Sequence, residues 1–342
     1  MNHDWVLYLA IFSSSFGISI AATPLAKKIS VKVGAIDMPR SRGMHSEPMP
    51  RMGGIAIVFG FLIALGIAAI FMPEVRTAQF IGFVVGALII AAAGMADDIY
   101  SLKPGMKLAL QIVASLVPIF SGTQVEFIKL PFSAVFNDSL SIPITLVWIV
   151  SLTNAVNFID GLDGLAAGVS TIAALALMVL CMFSVNSLAV VLTAALAGSC
   201  LGFLPRNFNP AEVIMGDTGA QFLGYVLAVT SILGPFKAYA LLSVVIVSFV
   251  LALPIFDTAF AIVRRFLAHK PIYIADRGHL HFRLIDSGYS HKQAVILLYV
   301  LSAVSGVIAI VIAIQKTSAI LVTGICMVIM LLMIYIYRKR TH

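Results

Sequence analysis

Asp97 and Asp98 stand side by side in "GMADDIYSL", and Asp160 and Asp163 stand three apart in "NAVNFIDGLDGLAAG". A further carboxylate, Asp217, follows a glycine in "NFNPAEVIMGDTGAQFLG". Adjacent carboxylates repel, which raises the pKa of one of them unless a cation is near. Carboxylates together with the amides of Asn154 and Asn157 suit an oxygen-rich Mg²⁺ site or a network for sugar hydroxyls. If helical, Asn154, Asn157 and Asp160 are neighbours at i, i+3 spacing, and Gly161 and Gly164 then let the backbone turn or approach a ligand. Each group also has a plainer use. The Asp97–Asp98 pair suits a solvated helix end, the two Asn suit interhelical hydrogen bonds, and Asp217 suits a helix cap. A helix start at Asp217 also offers N–H groups that favour phosphate.

Two basic loops accompany these acids. "DMPRSRGMHSEPMPRMGG" carries Arg40, Arg42, His45 and Arg51 among three prolines, the composition of a loop held in one shape. "ADRGHLHFRL" carries Arg277, His279, His281 and Arg283. On a strand the two histidine rings would face one way, as metal ligands or phosphate donors; on a helix they would diverge. They also suit a solvated loop. The surrounding Arg264, Arg265 and Lys270 favour phosphate binding over a tight all-histidine metal site.

The elements that must hold these residues are written in the composition. The chain is 61% hydrophobic and 11% charged over 342 residues, with a mean hydropathy of +1.05. A soluble domain carries about a quarter charged residues. Apolar runs long enough to cross a bilayer recur from end to end. They predict an all-α polytopic membrane protein with about eleven spans: roughly 5–25, 53–72, 79–96, 106–120, 141–159, 163–183, 187–204, 217–233, 238–262, 293–314 and 318–337. The first run lacks a basic leader and is followed by Lys27 and Lys28, so it is expected to stay as a span. The positive-inside rule sets the N-terminus outside and the C-terminus in the cytoplasm. All of the 22 Lys and Arg except Arg76, Lys129, Lys237 and Lys316 then fall inside. Alternation at "TQVEFIKL" predicts a short external β-hairpin within 121–139. Without repeat or linker, residues 1–342 are expected to form a single integral-membrane domain.

On this topology Asp97, Asp98, Asp160, Asp163, Asp217, Asp257, Asp276 and Asp286 all lie on the cytoplasmic side. A charge costs about 2.5 to 3.5 kcal/mol at a span centre and less toward its ends, so acids gathered there are functional candidates. The net charge of +7 is mostly a topology signal. No basic domain or aromatic platform supports nucleic-acid binding. Cys181, Cys200 and Cys326 have neither metal-ligand nor disulfide spacing, and no Walker loop or dinucleotide fingerprint is present. Carboxylates ringed by basic loops at one membrane face point to phosphoryl transfer from a soluble anionic donor to a membrane-held acceptor. The rival class is a transporter with carboxylates on broken midplane helices, which would need inverted repeats that the chain does not display.

At this point the chain resembles the polyprenyl-phosphate N-acetylhexosamine-1-phosphate transferases, the superfamily of WecA, TagO and MraY. The resemblance rests on the motifs above together with "GMADDIYSLKPGMKLALQ", all in the family's order. It is nearer the WecA/TagO branch, although Phe282 stands where that branch usually carries a further histidine. The resemblance implies transfer of N-acetylhexosamine-1-phosphate, expected to be GlcNAc-1-phosphate, from a UDP-sugar to undecaprenyl phosphate, with release of UMP. This would be the first membrane step of a cell-envelope glycan pathway. UDP-MurNAc-pentapeptide is the alternative donor, and a family member that only binds is the other alternative. It further implies Asp97, Asp98, Asp160 and Asp163 as catalytic residues and Asp217 as ligand to Mg²⁺, with Mn²⁺ as the alternative ion. Asn154, Asn157, His45, Arg51, Lys107, Arg277, His279, His281 and Arg283 are the expected substrate contacts. The implied setting is the bacterial cytoplasmic membrane with the site on its inner face, and a homodimer is expected by resemblance only.

Overall fold

The computed structural model describes residues 4–39, 47–125, 140–183, 186–234, 246–267 and 278–315, excepting the side chains of Phe266 and Gln315. The fold is helical and polytopic. In order come α1 (Asp4–Lys32), a two-stranded ribbon of β1 (Ile36–Asp37) and β2 (Met49–Pro50), α2 (Gly54–Phe71), a 3₁₀ turn (Pro73–Val75), α3 (Ala78–Tyr100) and α4 (Pro104–Phe120). They are followed by α5 (Ser141–Ile159), α6 (Leu165–Phe183), α7 (Ser187–Asn207), α8 (Gly216–Leu233), α9 (Ala252–Leu267), α10 (Leu280–Asp286) and α11 (His291–Gln315). Seven of the described helices, α1, α2, α3, α5, α6, α7 and α11, are long and apolar enough to cross a bilayer, and α4 is a shorter apolar helix.

Sequence chemistry marks several helix ends. Thr77 caps α3 by accepting from Phe80 N–H at 3.1 Å, and Asn186 caps α7 by accepting from Ala189 N–H at 3.1 Å. Pro104 opens α4, where its missing N–H costs nothing. The expected span 238–262 is interrupted. Residues 246–250 are helical, Leu251 turns, and α9 begins at Ala252. Pro254 explains the break, because it has no N–H to continue the ladder back to Val250. The expected span 318–337 and most of the expected hairpin, residues 126–139, lie outside the described residues.

Between helices in a bilayer, close packing replaces the hydrophobic effect, and small residues allow it. At Gly94, a Cβ would come within 2.5 Å of Thr218 Cα, so α3 crosses directly against the start of α8. At Gly224, a Cβ would come within 2.6 Å of Thr153 Cα, so α5 closes on α8 from the other side. An aromatic cluster fills the space beyond. Phe61 packs edge-on to Phe222 at 5.3 Å, and Phe83 stacks with Tyr225 at 5.8 Å. Helix α8 is thereby held by α2, α3 and α5, with its N-terminal residues at the ends of α3 and α5.

Candidate active site

The C-terminal turn of α3, the first turn of α4, the end of α5 and the start of α8 meet at one end of the bundle. Asp98 is where they are joined. Its Oδ1 accepts from Asp217 N–H at 2.9 Å and from Arg51 Nε at 3.1 Å. Its Oδ2 accepts from Thr218 N–H at 2.9 Å and Thr218 Oγ1 at 2.6 Å. A carboxylate offers about four lone-pair positions, and all are taken. The first N–H groups of α8, which the sequence suggested for phosphate, are therefore occupied by Asp98. Gly216 makes this possible. Its φ is +71°, and a Cβ there would meet Arg51 O and the Asp98 carboxylate.

Arg51 is fixed by backbone on both sides. Its N–H donates to Ala35 O at 3.1 Å and to Ser30 Oγ at 3.0 Å. Ile214 N–H donates to Pro50 O, and Gly53 N–H to Ile214 O. The proline-rich loop is thus partly a β-ribbon stitched to the segment before α8, which periodicity did not reveal because each strand has two residues. The Arg51 guanidinium spans Asp98 and, through Nη2, Asp217 Oδ2 at 3.1 Å. Burial opposes its charge, but Asp98 and Asp217 outweigh burial and hold it above its usual pKa.

Asp97 and Asp217 converge on one ammonium group. Lys107 Nζ contacts Asp97 Oδ2 and lies 3.7 Å from Asp217 Oδ1. Asp97 Oδ1 accepts from Leu102 N–H at 2.7 Å, a return that the left-handed Ser101 (φ +52°) permits. Asn157 Nδ2 donates to Asp217 Oδ1 at 2.7 Å. Asp160 caps α5 and carries a half-buried carboxyl. Burial first, then the charges of Asp217, Asp98 and Asp163, push its pKa up to about 8.

The remaining expected residues separate into distinct places. Asp163 is buried, and its Oδ2 accepts from Asn209 Nδ2 at 3.0 Å and Ala211 N–H at 3.2 Å, tying the end of α7 to the α5–α6 turn. Its own N–H donates to His291 Nε2 at 2.8 Å. Asn154 serves as an interhelical amide, donating to Gln111 Oε1 at 2.7 Å, while Gln111 donates to Gln221 Oε1 at 3.0 Å. This network joins α4, α5 and α8, the interhelical use that the sequence also offered for Asn154. Its signal was present as lone Gln residues in the apolar helices α4 and α8. His45 and Arg277 lie outside the described residues.

The histidine pair is neither of the two arrangements expected. His279 is extended (ψ 151°) just before α10, while His281 is within it. This change of backbone turns the rings parallel, 5.7 Å apart and inclined by 10°. His281 is buried beside the α5–α6 turn, with its Nε2 where a Cβ on Gly161 would be, at 2.2 Å. Among the described residues that nitrogen has no hydrogen-bond partner, and burial lowers the ring's pKa to about 4, so it is neutral. Arg283 Nε and Arg264 Nη1 both donate to Gly278 O, at 3.1 and 2.8 Å, and shape the approach to the pair. Asp257 was visible only as another acid near a span end; its contact with His279 was not legible.

Four carboxyl groups (Asp97, Asp98, Asp160 and Asp217) therefore face two cations (Arg51 and Lys107). Among the described residues no three His, Cys, Asp or Glu converge to hold a metal by themselves. The donor set does fit Mg²⁺ in its common mode, one or two carboxylates completed by phosphate oxygens and water. The Lys107 ammonium between Asp97 and Asp217 marks where positive charge is favoured.

Comparison with known proteins agrees with this chemistry. Residues 80–235 match the family model described as glycosyl transferase family 4. The chain is 38% identical over 313 residues to a Bacillus subtilis (strain 168) protein named "Probable undecaprenyl-phosphate N-acetylglucosaminyl 1-phosphate transferase", covering 91% of this chain and 86% of the relative. It is 35% identical to a Mycobacterium leprae decaprenyl-phosphate N-acetylglucosaminephosphotransferase, covering 82% and 78%. It is 31% identical to a Listeria innocua phospho-N-acetylmuramoyl-pentapeptide-transferase, covering 89% and 98%. The chain belongs to glycosyl transferase family 4, within the polyprenyl-phosphate N-acetylhexosamine-1-phosphate transferase superfamily of WecA, TagO and MraY, and is a phosphoglycosyltransferase.

Proposed function

We propose that this enzyme transfers GlcNAc-1-phosphate from UDP-GlcNAc to undecaprenyl phosphate, releasing UMP and leaving a lipid-pyrophosphate-linked sugar. The observation that carries this reading is the convergence of Asp97 and Asp217 on one cation position, beside Asp160 and Arg51. The names of the Bacillus and Mycobacterium relatives support the donor sugar and the polyprenyl acceptor.

An oxygen of the lipid phosphate attacks the β-phosphorus of the UDP-sugar. The bond from that phosphorus to the bridging oxygen breaks, and UMP leaves with the oxygen. A phosphate with a second pKa near 6 is mostly ionised at neutral pH, so Asp97 accepts only the residual proton and otherwise positions the acceptor. Asp217, with Asp97 beside it, would hold Mg²⁺, or Mn²⁺ in its place; the chemistry such an ion supplies is neutralisation of pyrophosphate charge and of the leaving UMP. Lys107 and Arg51, both partly exposed at 31% and 20% of their side chains, are the cations within reach of phosphate oxygens. Asp98 and Asp163 hold the framework. One pyrophosphate-type linkage replaces another, so the reaction is expected to be near balance.

The enzyme works as one integral-membrane domain in the bacterial cytoplasmic membrane, with about eleven apolar segments at or across it, its N-terminus outside and the site on the cytoplasmic face. The excess of Lys and Arg in the corresponding loops supports this orientation. The homodimer stays with the resemblance. The test is UMP release by the purified full chain with undecaprenyl phosphate, Mg²⁺ and a panel of UDP-sugars. UMP from UDP-GlcNAc, abolished by EDTA and by Asp217→Asn, is expected. Release only from UDP-MurNAc-pentapeptide or another donor would overturn the sugar, and release that survives both treatments would overturn the metal carboxylate.

A further inference from the structure

Asp257 lies on α9, 22 residues before His279, and is almost fully buried. Both its oxygens are committed to the histidine segment. Oδ2 is 2.8 Å from His279 Nδ1, and Oδ1 accepts from Leu280 N–H at 2.8 Å. The His279 ring is itself buried and packs against Phe158, at 5.9 Å between centroids, and against the parallel ring of His281 at 5.7 Å. The ring is thus packed against two others, and one nitrogen is anchored.

A carboxylate only accepts hydrogen bonds, so the proton of this contact sits on Nδ1. The nitrogen left for any other partner is Nε2. A histidine's available nitrogen is set by the bond its other nitrogen makes. Carboxylates behind working histidines orient the ring and fix its tautomer in this way.

We propose that Asp257 is a positioning residue for the transfer reaction: it holds His279 with the proton on Nδ1 and presents Nε2 to the nucleotide sugar. This rests on reading His279 as a nucleotide-sugar contact. The backbone bond to Leu280 makes the same carboxylate set the entry into α10, so ring direction and loop register are fixed by a single group. The arrangement also accounts for an acid retained inside an apolar helix, "PIFDTAF", where it would otherwise be costly.

Asp257→Asn separates positioning from packing. The amide has nearly the same shape. If its oxygen keeps the Leu280 N–H, its NH₂ faces Nδ1 and drives the histidine proton to Nε2. UMP release by the full chain is measured for Asp257→Asn, His279→Ala and the double variant, with thermal unfolding alongside. The expected result is a loss of about 10- to 100-fold in kcat/KM for the UDP-sugar in Asp257→Asn. The KM for undecaprenyl phosphate and the unfolding temperature stay unchanged, and no further loss follows once His279 is Ala. The same loss in the His279→Ala background would overturn the proposal, because Asp257 would then act through structure alone. Full activity in Asp257→Asn beside an impaired His279→Ala would overturn it too. A fully active His279→Ala would sink the nucleotide-sugar reading of that residue, and the proposal with it. Should Asp257→Asn not fold, ¹⁵N-histidine spectra of the wild-type chain decide, with the His279 signal identified by its loss in His279→Ala. A proton on Nδ1 is expected, and an unprotonated Nδ1 overturns the assignment.

Discussion

The two acidic motifs, Asp97–Asp98 and Asp160–Asp163, lie on different helices yet are built alike. In each, one carboxylate is used up by the framework and the other is left toward the cluster. Asp98 accepts two backbone N–H groups at the start of α8, the Thr218 hydroxyl and Arg51. Asp163 accepts the Ala211 N–H and the Asn209 amide. Asp97, by contrast, accepts one backbone N–H and meets the partly exposed Lys107, and Asp160 lies among the charges of Asp217, Asp98 and Asp163. A carboxylate saturated by backbone donors cannot take a proton or an ion without releasing an element of the fold. In each motif, then, the saturated carboxylate builds, and under the proposed function its neighbour acts.

The sharpest way to break this comparison is to truncate the building member. Asp98→Ala leaves the first N–H groups of α8 and the Arg51 guanidinium without their acceptor. Removing one partner of a buried ion pair costs about 3 to 5 kcal/mol. A large fall in unfolding temperature and in yield of folded protein is expected, in purified chain without substrate. If Asp98→Ala keeps the wild-type unfolding curve and loses only turnover, the division between the two members is wrong.

Asp97→Asn probes the acting member. The amide oxygen can still accept from Leu102 N–H, so the unfolding temperature should stay within a few degrees. Loss of a proton acceptor or ion contact is expected to lower kcat by about 100-fold or more. Retained lipid affinity with an unchanged kcat would remove Asp97 from the chemistry.

Asp160 sharpens the comparison through pH. Its folded pKa is raised to about 8, chiefly by burial, whereas an unfolded Asp titrates near 4. Between these values the folded state binds more protons than the unfolded state, so stability falls as pH rises. From about pH 6 to 8 the metal-free chain should lose roughly 2 kcal/mol from this group. Asp160→Asn, neutral throughout, should show a flatter profile of unfolding temperature. Identical profiles would mean that Asp160 is already ionised at neutral pH.

Much of this was legible in the residues. Each acidic motif sits where an apolar run ends or begins, so its place at a helix end followed from hydropathy alone. What was not legible is which carboxylate of each pair is saturated. That depends on N–H groups 119 residues away for Asp98 and 48 residues away for Asp163, and residue spacing carries no such distance. The histidine pair failed to fit a strand or a helix because the backbone changes between its members. The break before α9 was in principle readable from Pro254, but apolar length alone passed over it.

The smallest effect concerns Asn154, a carboxamide inside the same motif whose bonds run within and between helices. Its side chain donates to Gln111 Oε1 and to Val150 O, at 2.7 and 2.8 Å, and Gln111 in turn reaches Gln221. Hydrogen bonds between membrane helices contribute about 0.6 kcal/mol on average and under about 2 at most. Asn154→Ala should lower stability by roughly that amount, and Gln111→Ala should do the same without adding to it fully, since the two remove a shared bond. The KM for the UDP-sugar should hardly move in either variant. Asn157, one turn on, gives the contrast: it donates to Asp217 itself, so Asn157→Ala should reduce turnover by more than it reduces stability. A rise in KM for the nucleotide sugar in Asn154→Ala, with an unchanged unfolding temperature, would return Asn154 to the substrate contacts. It would also show that the amide network is too weak to fix the register of α5 against α8.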